Sequence, residues 1–227
     1  MEEIAEENEM KDGKNFSVKV LWVTPSAEKI VLYTARVSSD NRESENTKLL
    51  GYLIRNKHWS PFELANMCLE ITASRAVIRQ ILRHRSFNFQ EFSQRYAVVK
   101  EDDLIVNDAR QQDLKNRQNS FDNLPSDVKK EWNDKQRSIN KKILETYNWA
   151  IEKGIAKECC RAILPEGNTL STLCMSGTLR SWIHYLQLRC GNGTHKEHSE
   201  VSLVCPRLFK EQFPIIYDAA FKDLNLL

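Results

Sequence analysis

The sequence predicts a single helix-rich α+β domain, a central sheet flanked by helices, and three observations predict it. The chain has 227 residues, 41% apolar and 28% charged, an ordinary globular composition with length enough for a sizeable core. Helical periodicity recurs along most of its length, while β-type runs are few and short. No internal repeat and no Pro/Gly-rich linker divides it.

Taken in order, residues 1–15 are acidic and polar and read as a loose tail, with one domain over 16–227. Val18 to Val23 reads as a strand. Ala27 to Ala35 and Thr47 to Asn56 read as helices, with apolar faces at Ile30, Leu32 and Tyr33 and at Leu49, Leu50 and Leu53. Met67, Leu69 and Ile71 alternate with Cys68, Glu70 and Thr72, the period of a half-buried strand. Ser74 suits the N-cap of a helix over 75–85. Residues 86–96 are aromatic-rich without helical period, so they read as extended or loop. Residues 107–124 are Asn-, Asp- and Gln-rich, a surface excursion. A long amphipathic helix from Ser126 to Lys153 carries Val128, Trp132, Ile139, Ile143, Leu144, Tyr147 and Ile151. A shorter helix over Ile155 to Ile163 stops at Pro165. Residues 169–175 read as a strand or extended link, 178–190 as a strong helix, and 196–212 and 214–224 as two more.

Composition removes several function classes. No apolar run approaches the ~18 residues of a membrane span, and the acidic start is not a signal peptide, so no membrane partner is expected. A net charge of +2 gives no bulk attraction to nucleic acid. Six cysteines form no C-x-x-C pair and no zinc spacing, which predicts reduced thiols in a cytoplasmic protein and no metal site. Neither G-x-G-x-x-G nor a P-loop occurs among the seven glycines, so any phosphate must be held by side chains.

Two segments are unusual. Over 75–85, Val77, Ile78, Ile81 and Leu82 form an apolar stripe, while Arg75, Arg79 and Arg83 stand at i, i+4 and i+8. Like charges so spaced repel by roughly 0.2–0.5 kcal/mol per pair on a helix. His84, Arg85 and Arg95 extend the run, and Phe87, Phe89, Phe92 and Tyr96 interleave with it. Arginine's planar fork suits phosphate and heterocycle edges. The plainer reading pairs these arginines with distant carboxylates such as Glu63 or Glu70; the size of the cluster favours a ligand. In the helix 178–190, Leu179, Trp182, Ile183, Leu186 and Cys190 make the core stripe, with Arg180, His184 and Gln187 on one flank and Tyr185 and Arg189 on the other.

These residues carry a resemblance. The run from Arg83 to Tyr96 resembles the signature R-H-R-x-x-S-x-N-E-x-S-x-R-Y of the flavin-dependent thymidylate synthases, matching seven of its nine specified positions with unbroken spacing. Ala35-Arg36-Val37-Ser38 looks like that family's A-R-V-S, and His58-Trp59-Ser60-Pro61-Phe62-Glu63 like its H-x-S/T-P-F-E. Arg161 to Pro165 resembles R-x-x-L-P, and Arg180-Ser181 with Leu186 to Arg189 resembles R-S-x-x-x-F-L-x-L-R. The resemblance spans about residues 18–215.

The resemblance implies a mixed α/β fold, a homotetramer with shared active sites, and conversion of dUMP to dTMP. It implies methylenetetrahydrofolate as carbon donor, FAD as hydride carrier and NADPH as reductant. It places Ser60, Arg83, His84, Arg85, Glu91, Thr178, Arg180 and His184 at FAD. It places Gln80, Arg83, Glu91, Phe92, Ser93, Gln94, Arg95, Arg161 and Arg189 at dUMP, with Arg189 the catalytic residue that polarises the uracil ring. A guanidinium stays charged in a partly desolvated site and can stabilise a ring anion without a covalent bond. Ser93 has no paired base in its motif, which favours a phosphate hydrogen bond over a nucleophilic role.

The match has departures. Asn88 and Gln90 replace the pattern's Ser and Asn, and the segment after Arg189 reads Cys190-Gly191-Asn192-Gly193-Thr194-His195-Lys196-Glu197 where the family has A-Q-x-E. A variant that delivers a hydroxymethyl group to dUMP is therefore an open alternative. A single-stranded nucleic-acid-binding protein using the Arg/Phe cluster is the alternative of another class, and the near-neutral charge speaks against it.

Overall fold

In a computed structural model of the chain, which describes residues 10–11, 15–191 and 193–221, helices outnumber strands and the α+β reading holds. The order is β1 (Met10–Lys11), β2 (Ser17–Val23), α1 (Ala27–Ala35), α2 (Lys48–Arg55), β3 (Asn66–Ser74), α3 (Arg75–Ile81) and β4 (Asn88–Glu91). There follow β5 (Gln111–Gln112), β6 (Ser120–Phe121), α4 (Ser126–Glu152), α5 (Lys157–Cys160), β7 (Leu170–Thr178), α6 (Leu179–Arg189), α7 (Lys196–Gln212) and α8 (Pro214–Phe221). The main sheet runs β1-β2-β3-β7-β4, and β5 and β6 form a separate hairpin. No helix among the described residues is long and apolar enough to cross a membrane. The loose tail expected over 1–15 falls mostly outside the described residues; Met10–Lys11 pairs antiparallel with β2.

The chain divides into two compact units, each discontinuous in sequence. Of the described residues, the first takes those up to Ile71, Leu82–Gln90 and those from Cys174 on. Its core is Val31, Leu50, Phe62, Met67, Leu69, Ile71, Trp182, Leu186, Leu208, Phe209 and Ile216, all under 2% exposed. The stripe read on α6 is its centre, and the Trp182 indole N–H donates to the Met67 carbonyl at 2.9 Å. Gly177 has to be glycine: a Cβ there would lie 2.4 Å from the Phe87 ring, which is itself buried edge-on against Trp182. Thr178 caps α6, its hydroxyl accepting the Ser181 N–H at 3.2 Å.

The second unit takes Thr72–Ile81 and Glu91–Leu173. Val99, Tyr147, Ala150, Cys160 and Leu164 cluster in its core, with Ile143 and Ile151 against them. Gly154, at φ +73°, turns the chain out of α4.

Three expectations need correction. The helix over 75–85 ends at Ile81, so Arg83 is not on it and the row of three arginines does not form. Ser74 does cap it, accepting the Val77 N–H at 3.3 Å. The helix over 155–163 is the short α5 followed by a 3₁₀ turn, Arg161–Ile163. On α4, Val128 and Ile139 are exposed, while Gln136 and Asn140 are buried. The reason is the segment 105–107. Gln136 exchanges two hydrogen bonds with the Asn107 backbone, and the Asn140 amide donates to the Ile105 carbonyl at 2.8 Å. A buried backbone needs partners, and a polar helix face supplies them.

Candidate functional site

With Glu91 apart, the residues expected at FAD all lie in the first unit. Arg83, His84 and Arg85 occupy the turn after α3; Arg83 and Arg85 are exposed. Among the described residues neither has a carboxylate partner. His84 is half-buried, and its Nε2 accepts the Arg189 Nε–H at 2.8 Å. Burial first, then the adjacent Arg189 charge, lowers the His84 pKa to about 4. The imidazole is therefore neutral and carries its proton on Nδ1, which meets no acceptor among the described residues. The terminal nitrogens of Arg189 likewise meet none.

Ser60 starts the 3₁₀ turn Ser60–Glu63. Glu63 at its end pairs with Arg180, and Trp59 before it meets the His184 ring edge-on, centroids 4.6 Å apart. Burial and then Arg180 lower the His184 pKa. The first unit thus brings together Ser60, Arg180 and His184 around one turn, and His84 with Arg189. Thr178 is committed to capping α6.

The second unit holds the residues expected at dUMP, except Arg83 and Arg189. Glu91 ends β4, and its carboxylate accepts from Arg75 and from the Ser171 hydroxyl, both at 3.0 Å. Phe92 is tied through its N–H to the Thr172 carbonyl at 2.8 Å. Ser93, Arg95 and Tyr96 line an open hollow of about 570 Å³ with Lys157 and Glu158. Arg95 pairs with Glu158 at 3.0 Å, and the Lys157 ammonium donates to the Tyr96 carbonyl at 2.7 Å. Gln94 is 4% exposed, yet its amide nitrogen finds no acceptor among the described residues. Gln80 is half-buried on α3; Arg161 is exposed, one turn beyond the hollow's Lys157.

For the basic cluster the plainer reading is half right. Arg75 pairs with Glu91, Arg79 with Glu166 and Arg95 with Glu158, although none of these carboxylates is one of the two expected. Glu70 pairs with Lys19 and Glu63 with Arg180. Sequence reasoning missed Lys157, Glu158, Trp59, and the buried hydroxyl of Tyr185. The first two follow α4 with no motif around them; Trp59 occupies an unspecified position inside one. The arrangement offers the guanidinium groups of Arg83 and Arg85, without a carboxylate among the described residues, for phosphate, and one oriented guanidinium, Arg189, for a planar acceptor edge.

The chain is similar to known proteins over most of its length. The family model described as thymidylate synthase complementing protein matches residues 19–215. The chain is 50% identical over 192 residues to a Synechocystis protein named flavin-dependent thymidylate synthase, covering 84% of this chain and 88% of that one. It is 50% identical over 197 residues to a protein of Paramecium bursaria Chlorella virus 1 named probable flavin-dependent thymidylate synthase, covering 86% and 90%. Two solved structures of the UMP/dUMP methylase PolB from Streptomyces cacaoi, bound with 5-Br dUMP and 5-Br UMP, share the fold. Their TM-scores are 0.81 and 0.82 at 23% and 24% identity, each covering 94% of this chain and 97% of that one.

Proposed function

The chain belongs to the flavin-dependent thymidylate synthase family, and from that premise we propose that it makes dTMP from dUMP with FAD, methylenetetrahydrofolate as carbon donor and NADPH as reductant. The observation that carries the reading is Arg189: its Nε–H is committed to His84, and its two terminal nitrogens are left together for one planar acceptor edge. The O2/N3 edge of uracil is such an edge. Electron density pushed into the ring makes C5 a nucleophile, and a fixed cation at that edge stabilises the anionic ring as it forms. Because the guanidinium is already oriented, little reorganisation is needed during reaction.

The donor set fits FAD. A pyrophosphate needs cations without competing carboxylates, and Arg83 and Arg85 are such cations. His84 offers its Nδ1–H beside them. The bound flavin supplies hydride chemistry that side chains lack. Ser93, Gln94, Arg95 and Arg161 are the proposed anchors of the nucleotide, with Ser93 donating to phosphate rather than attacking C6 and the unmatched Gln94 amide available to a ligand. Phe92, Gln80 and Glu91 complete that set; Glu91 acts by holding β4 to Arg75 and Ser171.

The reading includes a homotetramer with shared sites, which the apolar surface exposed on α4 at Val128, Ile139 and Trp149 supports. Six free cysteines fit a reducing cytoplasm. The test is to supply FAD, dUMP, methylenetetrahydrofolate and NADPH and to identify the product by mass, with light scattering for the assembly. Formation of dTMP by a yellow tetramer is expected. Release of 5-hydroxymethyl-dUMP instead, or no nucleotide product, would overturn the reading.

A further inference from the structure

Tyr185 lies on α6, one turn before Arg189, and is 1% exposed. Its ring meets the His84 ring edge-on, centroids 4.9 Å apart. Its hydroxyl stands 3.1 Å from Nε2 of His198 and 3.0 Å from Oγ of Ser202. Both belong to α7 and are fully buried. Pro206 lies four residues beyond Ser202 and has no N–H for the Ser202 carbonyl. That carbonyl accepts instead from the Cys190 thiol at 3.4 Å. Burial pushes the Cys190 pKa up to about 12, so the sulfur keeps the proton it donates.

Around this chain the interior is apolar: Val201, Cys205, Leu208 and Phe209 on α7, Trp182 and Leu186 on α6. Apolar side chains of similar volume would fill the same space without the cost of burying a phenol, an imidazole and a hydroxyl. What the polar network adds is a fixed orientation for the Tyr185 ring. The His84 side chain has one polar partner among the described residues, Arg189, so the surface it packs on sets the direction of Nε2. The charged or titratable groups facing it are Tyr185 and Arg189 from α6 and His198 from α7.

We propose that Tyr185, fixed by His198 and Ser202, is the positioning residue that holds the His84 ring where its Nε2 accepts from Arg189. This rests on the role proposed above for Arg189 and deepens it: the orientation of Arg189 is built three residues deep, from α7 through Tyr185 and His84.

The test uses the FAD-loaded full chain with Tyr185→Phe, His198→Leu and His198→Gln, and Ser202→Ala as the mildest change. Histidine side chains, five in all, are followed by NMR of labelled protein, with His84→Asn to assign its signal. In wild type, His84 is expected as the Nδ1–H tautomer, with its titration lowered to about 4. In Tyr185→Phe and His198→Leu that titration should move toward the ordinary 6.5 and the tautomer preference should weaken. Turnover to dTMP should fall on the order of a hundredfold, as misplacement of a reacting geometry does, and by more than FAD content or dUMP affinity falls. His198→Gln, which keeps a polar partner for the hydroxyl, should recover most of it. Should Tyr185→Phe and His198→Leu fail to fold, Ser202→Ala should show the same displacement in smaller measure. Variants with lower melting temperature but wild-type His84 tautomer, titration and turnover would reduce the network to an ordinary buried polar cluster and overturn the proposal. If wild type itself makes no dTMP, the reading of the reaction fails, and the NMR arm still decides the positioning.

Discussion

Arg189 and His84, 105 residues apart in the chain, share a 2.8 Å hydrogen bond in which the guanidinium donates and the imidazole accepts. The direction matters. An accepting imidazole must be neutral, and protonation would both remove the lone pair and place two cations in contact. Burial and Arg189 itself keep His84 neutral at physiological pH.

Two histidines should therefore make the fold acid-sensitive. Unfolded histidine takes a proton near pH 6.5, whereas His84 holds off until about 4 and the buried His198 until about 3. Between those values the unfolded chain binds more protons, so stability falls as pH drops from 6.5 and levels off only below the folded values. Melting temperature measured from pH 7.5 down to 5 should fall, and His198→Gln should flatten the decline. A melting temperature that rises on acidification would contradict the neutral assignment.

Arg83→Ala and Arg85→Ala should each weaken FAD binding by about ten- to a hundredfold, the value of one charge-assisted contact. Arg79→Ala should leave it unchanged, because Arg79, paired with Glu166, is not among the residues expected at FAD. Flavin absorbance of the purified variants decides this. Wild-type flavin content in both Arg83→Ala and Arg85→Ala would remove these residues from the cofactor.

Arg95→Ala and Arg161→Ala should act on the nucleotide instead. Each is expected to lose about 1.5–3 kcal/mol of dUMP binding, ten- to a hundredfold in affinity, with FAD content nearly unchanged. Calorimetric titration with dUMP separates the two ligands. Loss of FAD at normal dUMP affinity would show the arginines to serve the other ligand.

Most of the fold was legible because it follows from apolar periodicity: Leu179, Trp182, Ile183 and Leu186 announce α6 and lie at its buried centre. The polar face of α4 was not, because Gln136 and Asn140 are buried to satisfy a backbone 29 and 35 residues away. Hydrophobic spacing carries no trace of that. Among the site residues, the motif from Arg83 to Tyr96 stood out by composition, but which arginines are free did not. That depends on Glu91, Glu158 and Glu166, which the chain brings to Arg75, Arg95 and Arg79 only on folding. Tyr185 was read as a flank residue because its spacing places it beside Arg189; its burial comes from His198 and Ser202 on α7.

The central claim is that Arg189 acts on charge that develops in the uracil ring, and Arg189→Lys tests it most directly. Lysine keeps the charge but has no planar fork and no Nε–H for His84. On one preparation, dUMP affinity, NADPH-driven flavin reduction and dTMP formation should be measured together. The account predicts an intact fold, normal flavin content and reduction, nearly normal dUMP affinity, and dTMP formation lowered by ~10²–10³, because only interactions stronger in the transition state speed the chemical step. Wild-type dTMP formation in Arg189→Lys, or a loss of turnover no larger than the loss of dUMP binding, would contradict it.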